Sequence, residues 1–116
     1  MNAAIRDLVI EQGATYEDPL CISDEGGPVD LTGYSAHMQI RPTPDSATLL
    51  HDMSTTNGGI LIDGPASMVT LFIDAAVTAT FTWQRGVYDL ELTEPSAKIR
   101  RLFKGTVLVD PQVTRP

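Results

Sequence analysis

The residues that most often carry catalysis or bind metals are few and widely spaced in this chain. It has two histidines, His37 and His51, and one cysteine, Cys21. Nucleophilic catalysis needs a general base beside the nucleophile, so a Ser-His or Cys-His site would have to use one of these histidines. His37 lies on the polar face of a predicted strand, where exposure to solvent is the ordinary explanation. Zinc sites need closely spaced ligands, and this spacing does not predict one.

The acidic and glycine-rich segments are better explained as turns than as sites. The segment 24-DEGGPVD-30 contains three acids, but their spacing does not match that of an EF-hand calcium loop. Asp24 and Glu25 lie there without the apolar pocket that paired catalytic carboxylates need. The glycine pairs 26–27 and 58–59 lack the lysine and the helix of a phosphate-binding loop. We therefore expect no enzyme, no small-molecule substrate, no metal and no cofactor.

Composition argues against two classes of partner. The 116 residues include eight basic and fifteen acidic side chains, which give a formal charge of −7. This charge repels nucleic acid phosphates and anionic lipid surfaces, so neither nucleic acid nor membrane is an expected partner. No basic region followed by a long apolar run opens the chain, and no stretch approaches the roughly 20 apolar residues of a membrane helix. We expect a soluble, unexported protein, and the single cysteine favours a reducing compartment.

Length and hydrophobic pattern predict one all-β domain over residues 1–116. Short runs alternate apolar and polar residues, as strands do when one face is buried. Pro19 places the second run at an edge or in a bulged strand. Only 74-DAAVTATF-81 predicts helix, as one short turn near residues 74–80 with Asp74 as its N-cap. The predicted strands cover residues 5–12, 15–23, 34–41, 60–63, 67–74, 86–92 and 99–110, and residues 48–53 are either a short strand or an irregular crossing.

About seven or eight short strands at roughly ten-residue intervals are typical of an antiparallel two-sheet β-sandwich of immunoglobulin-like type. A small closed barrel is the main alternative, because strand count and alternation do not distinguish closure from two packed sheets. Residues 24–30 predict a tight surface loop, and Asn57-Gly58 predicts a hairpin turn. The break 94-EPSA-97 predicts a hairpin between the last two strands.

The last strand does not alternate cleanly. Gly105 in its middle predicts a bulge and a kink, since glycine inside a strand often marks one. The alternative is a strand buried on both sides around Leu102 and Phe103.

Seven residues are the predicted structural core. Trp83 would be its largest side chain, and Tyr88 occupies a position like that of the tyrosine that pins a corner in immunoglobulin-like folds. We interpret both as scaffold rather than as a ligand platform. The full set is Trp83, Tyr88, Leu90, Leu92, Met38, Ile40 and Leu71.

Five short pieces stand in a characteristic order and spacing: 30-DLTGY-34, 38-MQIR-41, 86-GVYDLEL-92, Gly105 and 113-VTR-115. Over about residues 8–115 the chain thereby resembles a family of small tailed-bacteriophage and prophage virion structural proteins. Members of that family are similar to the immunoglobulin-like N-terminal module of some phage baseplate proteins. The resemblance implies a non-enzymatic component of the tail, baseplate or neck, assembled in the host cytoplasm, whose partners are other virion proteins and copies of itself.

Two other functions stay open. A capsid decoration protein would share the fold and the acidity but attach to the head at many more copies per particle. A carbohydrate-binding module for host surface sugars would need exposed aromatic rings, and Trp83, Tyr16 and Tyr34 are the candidates.

Overall fold

The structure, a computed structural model, describes residues 3–115 and contains eleven strands and one short helix in that range. The strands are β1 (Ala4–Ile5), β2 (Leu8–Glu11), β3 (Tyr16–Cys21), β4 (Ser23–Asp24), β5 (Gly27–Pro28), β6 (Ser35–Arg41), β7 (His51–Ser54), β8 (Ile60–Asp63), β9 (Met68–Ile73), β10 (Arg85–Thr93) and β11 (Ile99–Asp110). The helix, α1 (Ala75–Thr78), has four residues.

Two sheets contain most of the strands. The larger has six strands, in the order β1, β11, β10, β6, β7, with β2 also paired to β11. The smaller has the order β3, β9, β8, and β4 pairs separately with β5. The all-β prediction is confirmed. The prediction of antiparallel sheets fails at one edge, where β1 and β2 run parallel to β11, because no hairpin turn joins them and dictates their direction.

The buried faces of both sheets contribute to one hydrophobic core. Along β6, β9 and β10 burial alternates residue by residue, as the pleat requires when one face is covered. Six of the predicted core residues lie in it with at most 5% of their surface exposed: Tyr88, Leu90, Leu92, Met38, Ile40 and Leu71.

Trp83 is the exception among the predicted core residues. It is half-buried and packs on Phe81, with ring centroids 5.1 Å apart. Because it precedes β10 and does not lie in a strand, no pleat directs its indole into the centre of the core. The prediction that Trp83 is the largest side chain of the core is therefore wrong, and its ring covers the margin instead.

The turns follow the sequence pattern with one correction. The predicted hairpins β8–β9 and β10–β11 are present. The turn at 55–59 instead carries the chain from β7 in the large sheet to β8 in the small sheet. Side chains hold this turn: Asn57 Oδ1 accepts from the N–H groups of Ser54 and Gly59, and Asn57 Nδ2 donates to the carbonyl of Asp52. Ser54 Oγ accepts from the Asn57 N–H. A turn closed by its own side chains does not require its flanking strands to pair.

The bulge in β11 lies at Leu102 rather than at Gly105. Leu90 faces Phe103 and Glu91 faces Arg101, so Leu102 is the extra residue, whereas Gly105 pairs in register with Tyr88. A Cβ at Gly105 would lie 2.4 Å from the carbonyl oxygen of Arg6. Glycine is needed there because another backbone approaches closely.

Two smaller expectations also change. Helix α1 lies inside the predicted segment, but the Asp74 side chain makes no capping hydrogen bond, and only its carbonyl accepts, from the N–H groups of Val77 and Thr78. Most of the predicted loop at 24–30 belongs to the β4–β5 hairpin, whose turn is held by the Gly26 N–H donating to Asp24 Oδ1.

Candidate interaction surface

The N-terminal strands leave one side of their backbone unpaired. β1 and β2 keep one continuous register on β11, from Ala4 opposite Phe103 to Glu11 opposite Asp110. The N–H groups of Arg6 and Gln12 donate to β11 carbonyls, both at 2.9 Å. Because backbone groups of successive strand residues point to opposite sides, those of Ile5, Asp7 and Val9 point away from β11. Within residues 3–115 no further strand pairs with this side, which we call the open edge (residues 4–11).

The gap between β1 and β2 is a local exchange of hydrogen bonds. A regular parallel ladder would have the Thr106 N–H donate to the Arg6 carbonyl. Here the Thr106 N–H donates to Asp7 Oδ1 at 3.0 Å, and the Arg6 carbonyl accepts from the Tyr88 hydroxyl at 2.6 Å. Two side-chain hydrogen bonds thus replace one ladder bond, and the absence of a side chain at Gly105 leaves room for them.

This exchange corrects the prediction made for Tyr88. Its hydroxyl binds a carbonyl 82 residues upstream, on the far side of β11, and not one a few residues away as in a tyrosine corner. Burial raises the pKa of Tyr88 to about 12, so the phenol stays protonated and can donate.

An ion pair joins the open edge to the small sheet. Arg6 Nη2 donates to both carboxylate oxygens of Asp18 in β3, at 2.7 and 2.9 Å, and the Tyr16 hydroxyl donates to Asp18 Oδ2 at 3.0 Å. The hydrogen bond to Asp18 raises the pKa of Arg6, and burial raises the pKa of Tyr16. The ion pair therefore fixes the open edge to the small sheet, so the position of its backbone is defined.

Apolar side chains border the open edge on the outer face of the large sheet. Ile5, Val9 and Leu108 are 77%, 56% and 45% exposed, and Val9 and Leu108 are cross-strand neighbours. We call these three residues the apolar row. A single exposed apolar residue is ordinary, but neighbours beside an unpaired strand form a surface on which another chain can bury apolar area.

A groove of about 560 Å³ continues from the row across the outer face, lined by residues of β1, β6, β10 and β11. It contains Arg41, Arg101 and Lys104 together with Asp7 and Asp89. Arg101 lies 3.4 Å from Asp89, and Arg41 donates to the Gln39 side chain at 2.8 Å. Three of the eight basic residues of an acidic chain thus gather here. This part of the surface suits a segment that carries both apolar and charged groups.

The histidines do not form a catalytic arrangement in the described part of the chain. His37 Nε2 pairs with Asp52 Oδ1 at 2.6 Å on the outer face, which lowers the pKa of Asp52, and no hydroxyl or thiol is hydrogen-bonded to His37 among residues 3–115. His51 packs edge-on against Phe81, and burial lowers its pKa. Among the same residues, no group of three or more His, Cys, Asp or Glu side chains could hold a metal ion.

The three aromatic residues considered for sugar stacking, Tyr16, Tyr34 and Trp83, are half-buried, and each packs against the hydrophobic core. The Tyr16 hydroxyl is bound to Asp18.

Asp7 carries a testable pH dependence. The hydrogen bonds from Thr106 hold the pKa of Asp7 below its ordinary value of 3.8, so its contribution to stability is present above that value and is lost as the pH falls through the lower, folded-state pKa. Asp7→Asn keeps an acceptor but loses the charge. We expect the variant to melt below the wild type at neutral pH and the two melting curves to converge in acid. A difference that is the same at every pH would contradict this assignment.

Residues 3–115 contain no helix that is long and apolar enough to span a membrane. Comparison with protein-family models and with curated proteins gives no match to this chain.

Proposed function

We propose that this protein is a non-enzymatic structural component of a tailed-phage virion, an assembly adaptor of the tail, baseplate or neck. It would act through contacts with other virion proteins and with copies of itself. In this proposal the two sheets around one core form an immunoglobulin-like sandwich, the module that the sequence segments resemble. The resemblance and the arrangement of two sheets both support the proposal.

The observation that carries the proposal is the open edge with its apolar row. Unpaired backbone groups on a strand can pair with another chain, and proteins block such edges with proline, charged side chains or a covering loop. Pro19 occupies the edge strand β3 of the small sheet in this way, whereas residues 4–11 contain no proline. Two of their charged side chains are bound within the chain, Arg6 to Asp18 and Asp7 to Thr106. A stable contact buries about 800 Å² of surface on each partner. The three residues of the apolar row are too few to supply this area, so the contact would also include the adjacent groove.

Particle incorporation tests the proposal. Leu108→Glu places a charge in the apolar row, and we expect it to reduce incorporation into particles by about tenfold or more, since burying an unpaired charge in a contact is costly. Leu108 is partly exposed, so the melting temperature of the isolated chain should change little.

The matched control is Leu61→Glu, because Leu61 is similarly exposed but lies on β8 of the small sheet. Equal incorporation of both variants and the wild type would remove the adaptor proposal. Gel densitometry of purified particles, with the major capsid protein as the reference, gives the copy number per particle. Tens of copies or fewer fit a position in the tail, and hundreds would instead indicate a capsid decoration protein.

A further inference from the structure

We propose that the open edge takes residues 111–115 of a second copy of this chain as an added antiparallel strand, and that two copies exchange these segments reciprocally. The inference deepens the proposed assembly function and rests on it, because it names one partner and one mode of contact.

The segment 111–115 has no regular secondary structure, pairs with no strand among residues 3–115 and follows directly after β11. Its Val113 is 87% exposed, more than any other large hydrophobic residue among residues 3–115. The Gln112 N–H donates to Gln12 Oε1 of its own chain at 2.8 Å. In the extended form of an added strand, with the Gln112 N–H still bound to Gln12, the backbone groups of residues 111, 113 and 115 would face away from that bond.

One antiparallel register matches the open edge in both charge and shape. It sets Val113 opposite Val9, Arg115 opposite Asp7 and Pro111 opposite Glu11 of the neighbouring copy. The first pair joins two exposed apolar side chains, and the second joins opposite charges; cross-strand pairs of both kinds stabilise sheets. The outward backbone groups of Asp7 and Val9 are those that this register would use.

The same register fits the backbone hydrogen bonds. The Glu11 carbonyl already accepts from the Ala14 N–H at 3.1 Å, so it is not free to bind an incoming strand. The residue opposite is Pro111, which has no N–H to donate. The occupied acceptor of the edge therefore meets the residue that lacks a donor.

The segment cannot reach this position on its own edge. Asp110 pairs with Glu11 in the same chain, and beyond it the Gln112 N–H donates to the side-chain Oε1 of Gln12, so the segment stays beside its own β2. To pair antiparallel with Val9 of its own chain, Val113 would have to follow a reversing turn of at least about two residues. Gln112 and Val113 are adjacent, so no residues are available for such a turn. A second copy meets no such restriction, and exchange of identical segments about a two-fold axis is an economical route to a dimer.

Site-directed cross-linking tests the register. Both partners carry Cys21→Ser, because Cys21 is exposed and would react by itself. The chain with Val9→Cys is mixed with the chain carrying Val113→Cys, and the mixture is oxidised mildly. We expect a disulfide-linked heterodimer on a non-reducing gel. The control mixture replaces Val9→Cys by Leu61→Cys, which is equally exposed on the other sheet, and should give little product. Equal product in both mixtures would overturn the proposed register.

Sedimentation equilibrium measures the association itself. The wild-type chain of 12.5 kDa should approach twice that mass with increasing concentration, and Val113→Asp should weaken association by about tenfold or more with an unchanged melt. A wild type that stays monomeric at millimolar concentration, or a variant that associates as well as the wild type, would overturn the exchange. A monomer that still enters particles contradicts only the exchange, whereas a dimer whose Leu108→Glu variant is incorporated normally contradicts only the adaptor function.

Discussion

Replacing Leu90 by alanine is expected to lower the free energy of unfolding by about 2–5 kcal/mol, the range for truncation of a fully buried leucine. Leu90 is 0% exposed and lies in β10, between Met38 of β6 and Phe103 of β11. The surrounding strands are held by hydrogen bonds on both sides and cannot close the cavity. Urea denaturation followed by circular dichroism gives the difference.

The control for this prediction is Leu61→Ala, which removes the same atoms from a side chain that is mostly exposed. We expect it to change the unfolding free energy by less than about 0.5 kcal/mol. If the two variants lost similar stability, the division into core and surface described above would be incorrect.

Gly105→Ala is expected to destabilise the protein by about 1–3 kcal/mol, the usual range for overpacking. The new methyl would meet the carbonyl oxygen of Arg6 at 2.4 Å and the Asp7 carboxylate at 2.8 Å. The nearer of these atoms belongs to the backbone, so it can yield only if the strand moves. Movement there would also break the hydrogen bond between Tyr88 and Arg6 and should loosen β1 and β2.

Two measurements check the Gly105 prediction. Denaturation gives the stability loss, and amide hydrogen exchange at Arg6 reports whether its bond to Lys104 opens more often. Gly26→Ala is the matched control, because its added methyl would meet only the side chain of Asp24, at 3.3 Å. Unchanged protection at Arg6 in Gly105→Ala would contradict the close approach. If the segment exchange occurs, this variant should also associate more weakly than the wild type.

The ion pair between Arg6 and Asp18 has a signal in the sequence. In the predicted strand over residues 5–12 Arg6 shares the inward face with Leu8 and Ile10, and Asp18 has the same relation to Leu20. Charged residues at inward positions usually have a partner, because burial of an unpaired charge is costly. Two opposite charges at such positions on consecutive strands could have been paired before the structure was known.

Local features of the fold followed from the sequence. The strand β6, the hairpins β8–β9 and β10–β11 and the short helix lie where alternation and turn residues predict them. Alternation succeeds because it records which side chains of one segment are buried, and burial repeats every two residues whatever the partner strand is.

Only the tertiary structure decided how distant segments meet. The parallel pairing of β1 and β2 with β11, the hydrogen bond between Asp7 and Thr106 and the role of Gly105 all join residues about 100 positions apart. The turn at 55–59 likewise crosses between sheets, although its residues alone favour a hairpin. A pattern within one segment contains no information on which strand lies beside it or in which direction. The open edge, which depends on both, therefore became visible only in three dimensions.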